Sequence, residues 1–123
     1  MATEHDTRVR RVGEGVREEL ASLLSGDVKD PGAAGAIVTR VEMTNDLRSA
    51  KVFVRLLEGG DQQDGRKRLL DALGRARGML RREVTQRLSL RHAPELRFLY
   101  DEGLDHTLRV EAILAEIGAE RRK

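Results

Sequence analysis

The chain has no cysteine and no tryptophan, and its only aromatic residues are Phe53, Phe98 and Tyr100. The missing cysteine excludes disulfides, thiol catalysis and cysteine-based zinc sites. With so few rings the core must be aliphatic, and a base-stacking platform of the RRM or single-strand-binding OB type is disfavoured. No run approaches the ~18 apolar residues of a membrane span, and the opening MATEHDTRVRR has no apolar signal segment. A soluble, cytoplasmic protein with no membrane partner is expected. Catalytic patterning is missing too. His5, His92 and His106 fall in a tail, a loop and a helix start, and no His-x-x-x-His, P-loop or supported Ser-His-Asp set is present. Asp101, Glu102 and Asp105 cluster, and Asp61 and Asp64 share a loop, but turns and caps account for both groups. The expectation is no enzyme, no metal, no cofactor and no small-molecule substrate.

What is present is charge, at 36% of the 123 residues, and it is unevenly spread. From Arg66 to His92 there are nine Lys or Arg against two acids, Asp71 and Glu83, so the stretch carries +7. The whole chain is +2, which leaves −5 for everything else. Leu69, Leu73, Ala76, Leu80 and Val84 recur in this stretch at intervals of three or four, which is one face of an α-helix. On a wheel of roughly 100° per residue Arg68, Arg75 and Arg82 lie on the far side. A concentrated basic helix points to phosphate. Arginine, far commoner here than lysine, suits it through its planar fork. Gly74 and Gly78 interrupt the helix on its polar side at about 1 kcal/mol each against alanine. With Arg75, Ala76 and Arg77 between them they predict a kink at Gly78, where backbone can come close to a partner.

Read in order, residues 1–6 form a polar tail and Thr7 caps a helix over 8–24 with the stripe Val9, Val12, Val16, Leu20 and Leu23. Gly13 and Gly15 weaken it. Arg8, Arg10 and Arg11 lie off the stripe, as a solvated face or a second phosphate contact. Residues 25–35 are a loop with Asp30-Pro31-Gly32 turn chemistry. AIVTRVEMT (36–44) reads as a strand with Ile37, Val41 and Met43 on one face. AKVFVRLL (50–57) follows, with Val52, Val54 and Leu56 on one face and Lys51, Phe53 and Arg55 on the other. The short connector makes the two antiparallel. Asp64 is placed as a cap of the basic helix, which the kink divides in two. Pro94 precedes a third strand carrying Leu96, Phe98 and Tyr100. Asp105 opens a last helix with Leu108, Val110, Ile113, Leu114 and Ile117. The expected fold is a single α+β domain over 7–117, with helices covering one face of a three-stranded sheet and a short tail at 118–123. Its order, α-β-β-α-kink-α-β plus a C-terminal helix, is that of a type II KH-like domain. The usual Gly-x-x-Gly loop is absent, and Gly74-Arg75-Ala76-Arg77-Gly78 stands instead.

These residues also resemble a family. RVRRVGEGVREEL (8–20), Asp30-Pro31, Asp46-Leu47 with Ala50-Lys51-Val52, Ala76-Arg77-Gly78 followed by Leu80-Arg81, LRHAPELRFLYDE (90–102) and DHTLRVEAIL (105–114) resemble, in order and spacing, the bacterial ribosome-binding factor A family. Gly103 departs from it where serine is common. The resemblance implies a non-catalytic, cytoplasmic ribosome biogenesis factor. It would bind the free or maturing 30S subunit and 16S rRNA, support late assembly, 5′-end rRNA processing and growth in the cold, and leave before translation. The residues themselves support a monomeric RNA-binding protein with Arg68, Arg75, Ala76, Arg77, Gly78, Arg81, Arg82, Arg87 and Arg91 as the RNA-binding set. The alternatives are a general KH-type RNA-binding protein or RNA chaperone without ribosome preference, and an adaptor whose basic helix meets an acidic protein.

Overall fold

A computed structural model describes residues 3–59 and 62–103. The expected C-terminal helix with its Asp105 cap, and Asp61, lie outside them. The described chain runs α1 (Glu4–Gly26), a 3-10 turn (Pro31–Ala33), β1 (Ala36–Met43), β2 (Ser49–Leu56), α2 (Gln63–Arg87) and β3 (Glu95–Tyr100). The sheet order is β1-β2-β3, with β1 antiparallel and β3 parallel to β2. This is the expected α+β arrangement, and it is compatible with a KH-like topology. Among the described residues the fully buried core is aliphatic, with Phe98 and Tyr100 packed at its edge. Val16, Leu20 and Leu23 of α1 and Leu69, Leu73, Leu80 and Val84 of α2 lie against Val52 and Val54 of β2 and Leu96 of β3, all essentially inaccessible.

Helix α1 starts earlier than the sequence predicts. The N-cap is Thr3, not Thr7. Thr3 Oγ1 accepts from the Asp6 N–H at 3.1 Å, and the Thr3 N–H donates to the Asp6 carboxylate at 3.3 Å. This reciprocal capping box satisfies two backbone donors. The Thr7 hydroxyl instead donates to the Thr3 carbonyl. Gly13, expected only to weaken the helix, is where α1 meets the sheet. A Cβ there would stand 3.2 Å from the Val41 carbonyl oxygen and 3.4 Å from Met43 Cγ.

Strand β1 carries a bulge. Its register with β2 shifts between Val38 and Arg40, so Ala36, Val38, Val41 and Met43 pair with the core residues Leu56, Val54, Val52 and Ala50. The simple alternation grouped Ile37 with Val41. The extra residue, Thr39, moves Ile37 to the opposite face, opposite Arg55. The Thr39 hydroxyl donates to Asp101 Oδ2 at 2.6 Å, and the Asp101 N–H donates to the Val54 carbonyl at 2.7 Å. Asp101, read as a turn residue, is thus a buried tie from the end of β3 to the bulge. Phe98, on the third strand with buried Leu96, is half-buried at the core's edge.

The kink is absent. In place of two pieces jointed at Gly78, α2 is one unbroken helix of 25 residues. Neither Gly74 nor Gly78 has positive φ, and a Cβ at either would meet nothing within 4 Å. The buried row from Leu69 to Val84 holds the helix together through both glycines. Asp64 is not the cap either. Gln62 occupies the N-cap without a side-chain bond, and Asp64 lies in the first turn, where its charge favours the helix dipole. At the other end Leu90 N–H donates to Thr85 O and Ser89 N–H to Gln86 O, with Ser89 at φ +52°. That is a Schellman closure made by serine instead of glycine.

Candidate nucleic-acid interface

Helix α2 turns its buried residues to the sheet, and six of its arginines form two rows flanking Gly74 and Gly78, with exposed Lys67 and the exposed acid Asp71 on the same strip one to two turns before them. On the wheel Arg68, Arg75 and Arg82 make the outer row. Arg66, Arg77 and Arg81 make a second row beside β3. Gly74 and Gly78 fall between the rows, both exposed, with open space where side chains would be. Helix backbone there is reachable between two lines of guanidinium groups.

The second row is held by β3 and the segments flanking it. The Arg66 guanidinium lies 4.4 Å from the centre of the Tyr100 ring and donates to Glu102 at 3.0 Å. The Arg77 guanidinium lies 5.9 Å from the Phe98 ring centre. Arg81 Nη2 donates to the Ala93 carbonyl at 2.9 Å. Tyr100 itself accepts from the Leu56 N–H at 3.2 Å through its hydroxyl. Cation–π contacts orient an arginine without neutralising it, so Arg77 keeps its charge for a partner.

The other predicted residues divide by partner. Arg75 grips Asp30 Oδ2 through Nε at 2.9 Å and Nη2 at 2.8 Å, which staples α2 to the turn before β1. Arg87 faces Glu19, Asp27 and Glu83 at 3.3, 3.4 and 3.6 Å. It locks the end of α2 to α1 and its charge is balanced three times over. Arg68, Arg82 and Arg91 are exposed and make no ion pair among the described residues. Ala76 is half-buried against the core. Arg8, Arg10 and Arg11 are exposed on α1. Arg10 lines a groove of about 660 Å³ between α1 and β1, together with Asp6, Glu14, Arg17 and Glu42, where both signs of charge alternate.

Asp30 is a residue that sequence reading took for turn chemistry alone. Its carboxylate accepts from the Gly32 N–H at 3.0 Å as well as from Arg75, and these bonds, the backbone one first, hold its pKa below the usual aspartate value. Because the folded pKa is lowered, the staple is complete above the ordinary aspartate range and is lost as pH falls through the lower folded value. An NMR titration of the Asp30 carboxyl is expected to show a midpoint below 3.8. In an Arg75→Ala variant the midpoint should move up, though not fully, since the Gly32 bond remains. No movement would remove Arg75 as a cause.

Among the described residues no group of His, Cys, Asp or Glu is arranged to hold a metal ion, and no helix is long and apolar enough to cross a membrane. The family model of ribosome-binding factor A matches residues 8–114. A ribosome-binding factor A of Sorangium cellulosum is 49% identical over 89% of this chain and 88% of its own length. One from Brevibacillus brevis is 42% identical over 95% and 94%. In fold the chain is similar to the crystal structure of ribosome-binding factor A from Thermus thermophilus, with a TM-score of 0.64 at 24% identity, covering 75% of this chain and 94% of that one. A Thermus thermophilus ribosome-binding factor A homology model fitted into a cryo-EM map of its complex with the 30S subunit gives a TM-score of 0.58 at 25% identity, over 74% and 92%. The basic helix, the sheet that carries it and the match over nearly the whole length agree, and the chain belongs to the ribosome-binding factor A family.

Proposed function

We propose that this protein is a non-catalytic, cytoplasmic assembly factor that binds the maturing 30S subunit through 16S rRNA and supports late assembly and 5′-end processing. The observation that carries the binding surface is the exposed glycine strip of α2 between its two arginine rows. A phosphate backbone lying along that strip meets Arg68 and Arg82 on one side and Arg77 on the other. The missing side chains at Gly74 and Gly78 let it approach the helix closely. The family relatives, and the 30S complex described for the Thermus protein, support the choice of the 30S particle over RNA in general.

Gly78→Ala separates this role from a structural one. With a helical backbone and open space at the site, alanine should stabilise the fold by up to about 1 kcal/mol. The added methyl stands in the strip, so association with 30S particles should weaken. A thermal melt beside co-sedimentation in a sucrose gradient reads both. A more stable variant that pellets with 30S as well as the wild type would move the RNA off the strip. Equal partition between 30S particles and naked rRNA would favour a general RNA-binding role.

A further inference from the structure

Both described helices cover the same face of the sheet, the one bearing Val38, Val52, Val54 and Leu96. The opposite face carries three cross-strand rows. Glu42, Lys51 and Arg97 form one, Arg40, Phe53 and Leu99 the next, and Ile37 with Arg55 the third. Two features of this face call for an anionic, planar partner. Lys51 and Arg97 are direct neighbours in register on parallel strands and both are exposed. Like charges side by side are unfavourable until an anion joins them. Next to them the Arg40 guanidinium lies 4.0 Å from the centre of the Phe53 ring, and its side chain is 57% exposed. It is therefore stacked on one side and open on the other. A guanidinium plane presented in this way stacks on a nucleobase as an aromatic ring does. Arg55 is already engaged within the chain and is not counted.

We infer that the sheet face opposite the helices is a second RNA-contact surface, which takes a single-stranded segment with a base on the Arg40–Phe53 stack and its phosphates on Lys51 and Arg97. Arg40 also borders the α1–β1 groove, where Asp6 and Glu14 are offset by Arg10 and Arg17. Glu42 stands 3.7 Å from Arg40 and beside Lys51, and Glu95 ends the outer strand, so the face stays net positive. This inference rests on the RNA-binding reading of the chain but not on helix α2. The protein would hold structured rRNA on its helical side and an unpaired strand on the other.

The test uses the full chain and a fluorescent single-stranded oligouridylate, read by anisotropy. Lys51→Glu with Arg97→Glu is expected to lower oligouridylate affinity about tenfold or more and to flatten the log K against log salt slope by about 1.4, the share of two single-strand phosphate contacts. Reversal of Arg68, Arg77 and Arg82 should leave most of this affinity while reducing 30S pelleting. The milder Lys51→Gln with Arg97→Gln, expected to flatten the slope by the same amount, serves if the reversal unfolds the sheet. A Phe53→Trp reporter should be quenched by the oligouridylate. Unchanged affinity in the Lys51 and Arg97 variants overturns the proposal. So does a blue-shifted emission from the introduced tryptophan that is indifferent to the oligomer, since the face would then be covered by the chain itself. If 30S pelleting survives the α2 reversal while the sheet variants lose the oligomer, the α2 surface fails and this one stands.

Discussion

Arg68→Glu, Arg77→Glu and Arg82→Glu combined should lower 30S association about a hundredfold near physiological salt. Each lost phosphate contact removes roughly 0.9 from the slope of log K against log salt for a duplex, and three contacts near 0.15 M amount to about two decades. The salt dependence of the variant should be correspondingly shallower. These three are chosen because the structure leaves their charge unspent. Arg68 and Arg82 are exposed and make no ion pair among the described residues, and Arg77 rests on a ring. None faces the core, so the circular dichroism spectrum should be unchanged. Arg87→Ala is the contrasting control. Its partners Glu19, Asp27 and Glu83 are all within the chain, so its loss should lower the melting temperature first. If the triple variant pelleted with 30S as the wild type does, α2 would not be the RNA surface.

Leu73→Ala should cost about 2–5 kcal/mol, a large part of the ~5–15 kcal/mol that holds a domain of this size together. Leu73 is fully buried in the layer between α2 and the sheet. The fully buried neighbours of Leu73 are close-packed aliphatic side chains, which refill such a space only in part. Phe98→Ala should cost less, because Phe98 sits at the core's edge and is already partly in water. A chemical denaturation series on both variants checks the order. A larger loss at Phe98 than at Leu73 would mean that the edge beside Arg77, rather than the aliphatic layer, holds the fold.

The parts of the fold that follow from local periodicity were legible in the sequence. The period-two pattern of β2 put Val52, Val54 and Leu56 on the core side, where they are. The three-four spacing of α2 picked out Leu69, Leu73, Leu80 and Val84. The bulge at Thr39 was not legible, because one inserted residue shifts the strand's phase without altering its composition. The continuity of α2 was misread for a reason of magnitude. Two glycines cost about 2 kcal/mol together, while the row of leucines they interrupt gains about 1.5–3 kcal/mol for each side chain buried. In the site, the outer row of Arg68, Arg75 and Arg82 was legible on a wheel. Which arginines were already spent was not. Arg75 finds Asp30 at a distance of 45 positions and Arg87 finds Glu19 at 68, and nothing local marks either pairing.

The parallel pairing of β2 with β3 sets an order of folding events. The β1–β2 pair is joined by a short connector and can close as a local hairpin within microseconds. Strand β3 can join only after residues 57–94, which include all of α2, have been drawn back across the sheet. The entropy of closing that loop is lost before any β2–β3 hydrogen bond repays it. A hairpin with α2 loosely docked is thus the species expected early, with the β2 edge bare until β3 arrives. Leu96→Ala, in the late strand, should chiefly speed unfolding, whereas Val54→Ala should also slow folding. On a ribosome the last-made of the described strands is the one that seals the β2 edge, so the nascent chain cannot join β3 to β2 until Tyr100 has left the exit tunnel.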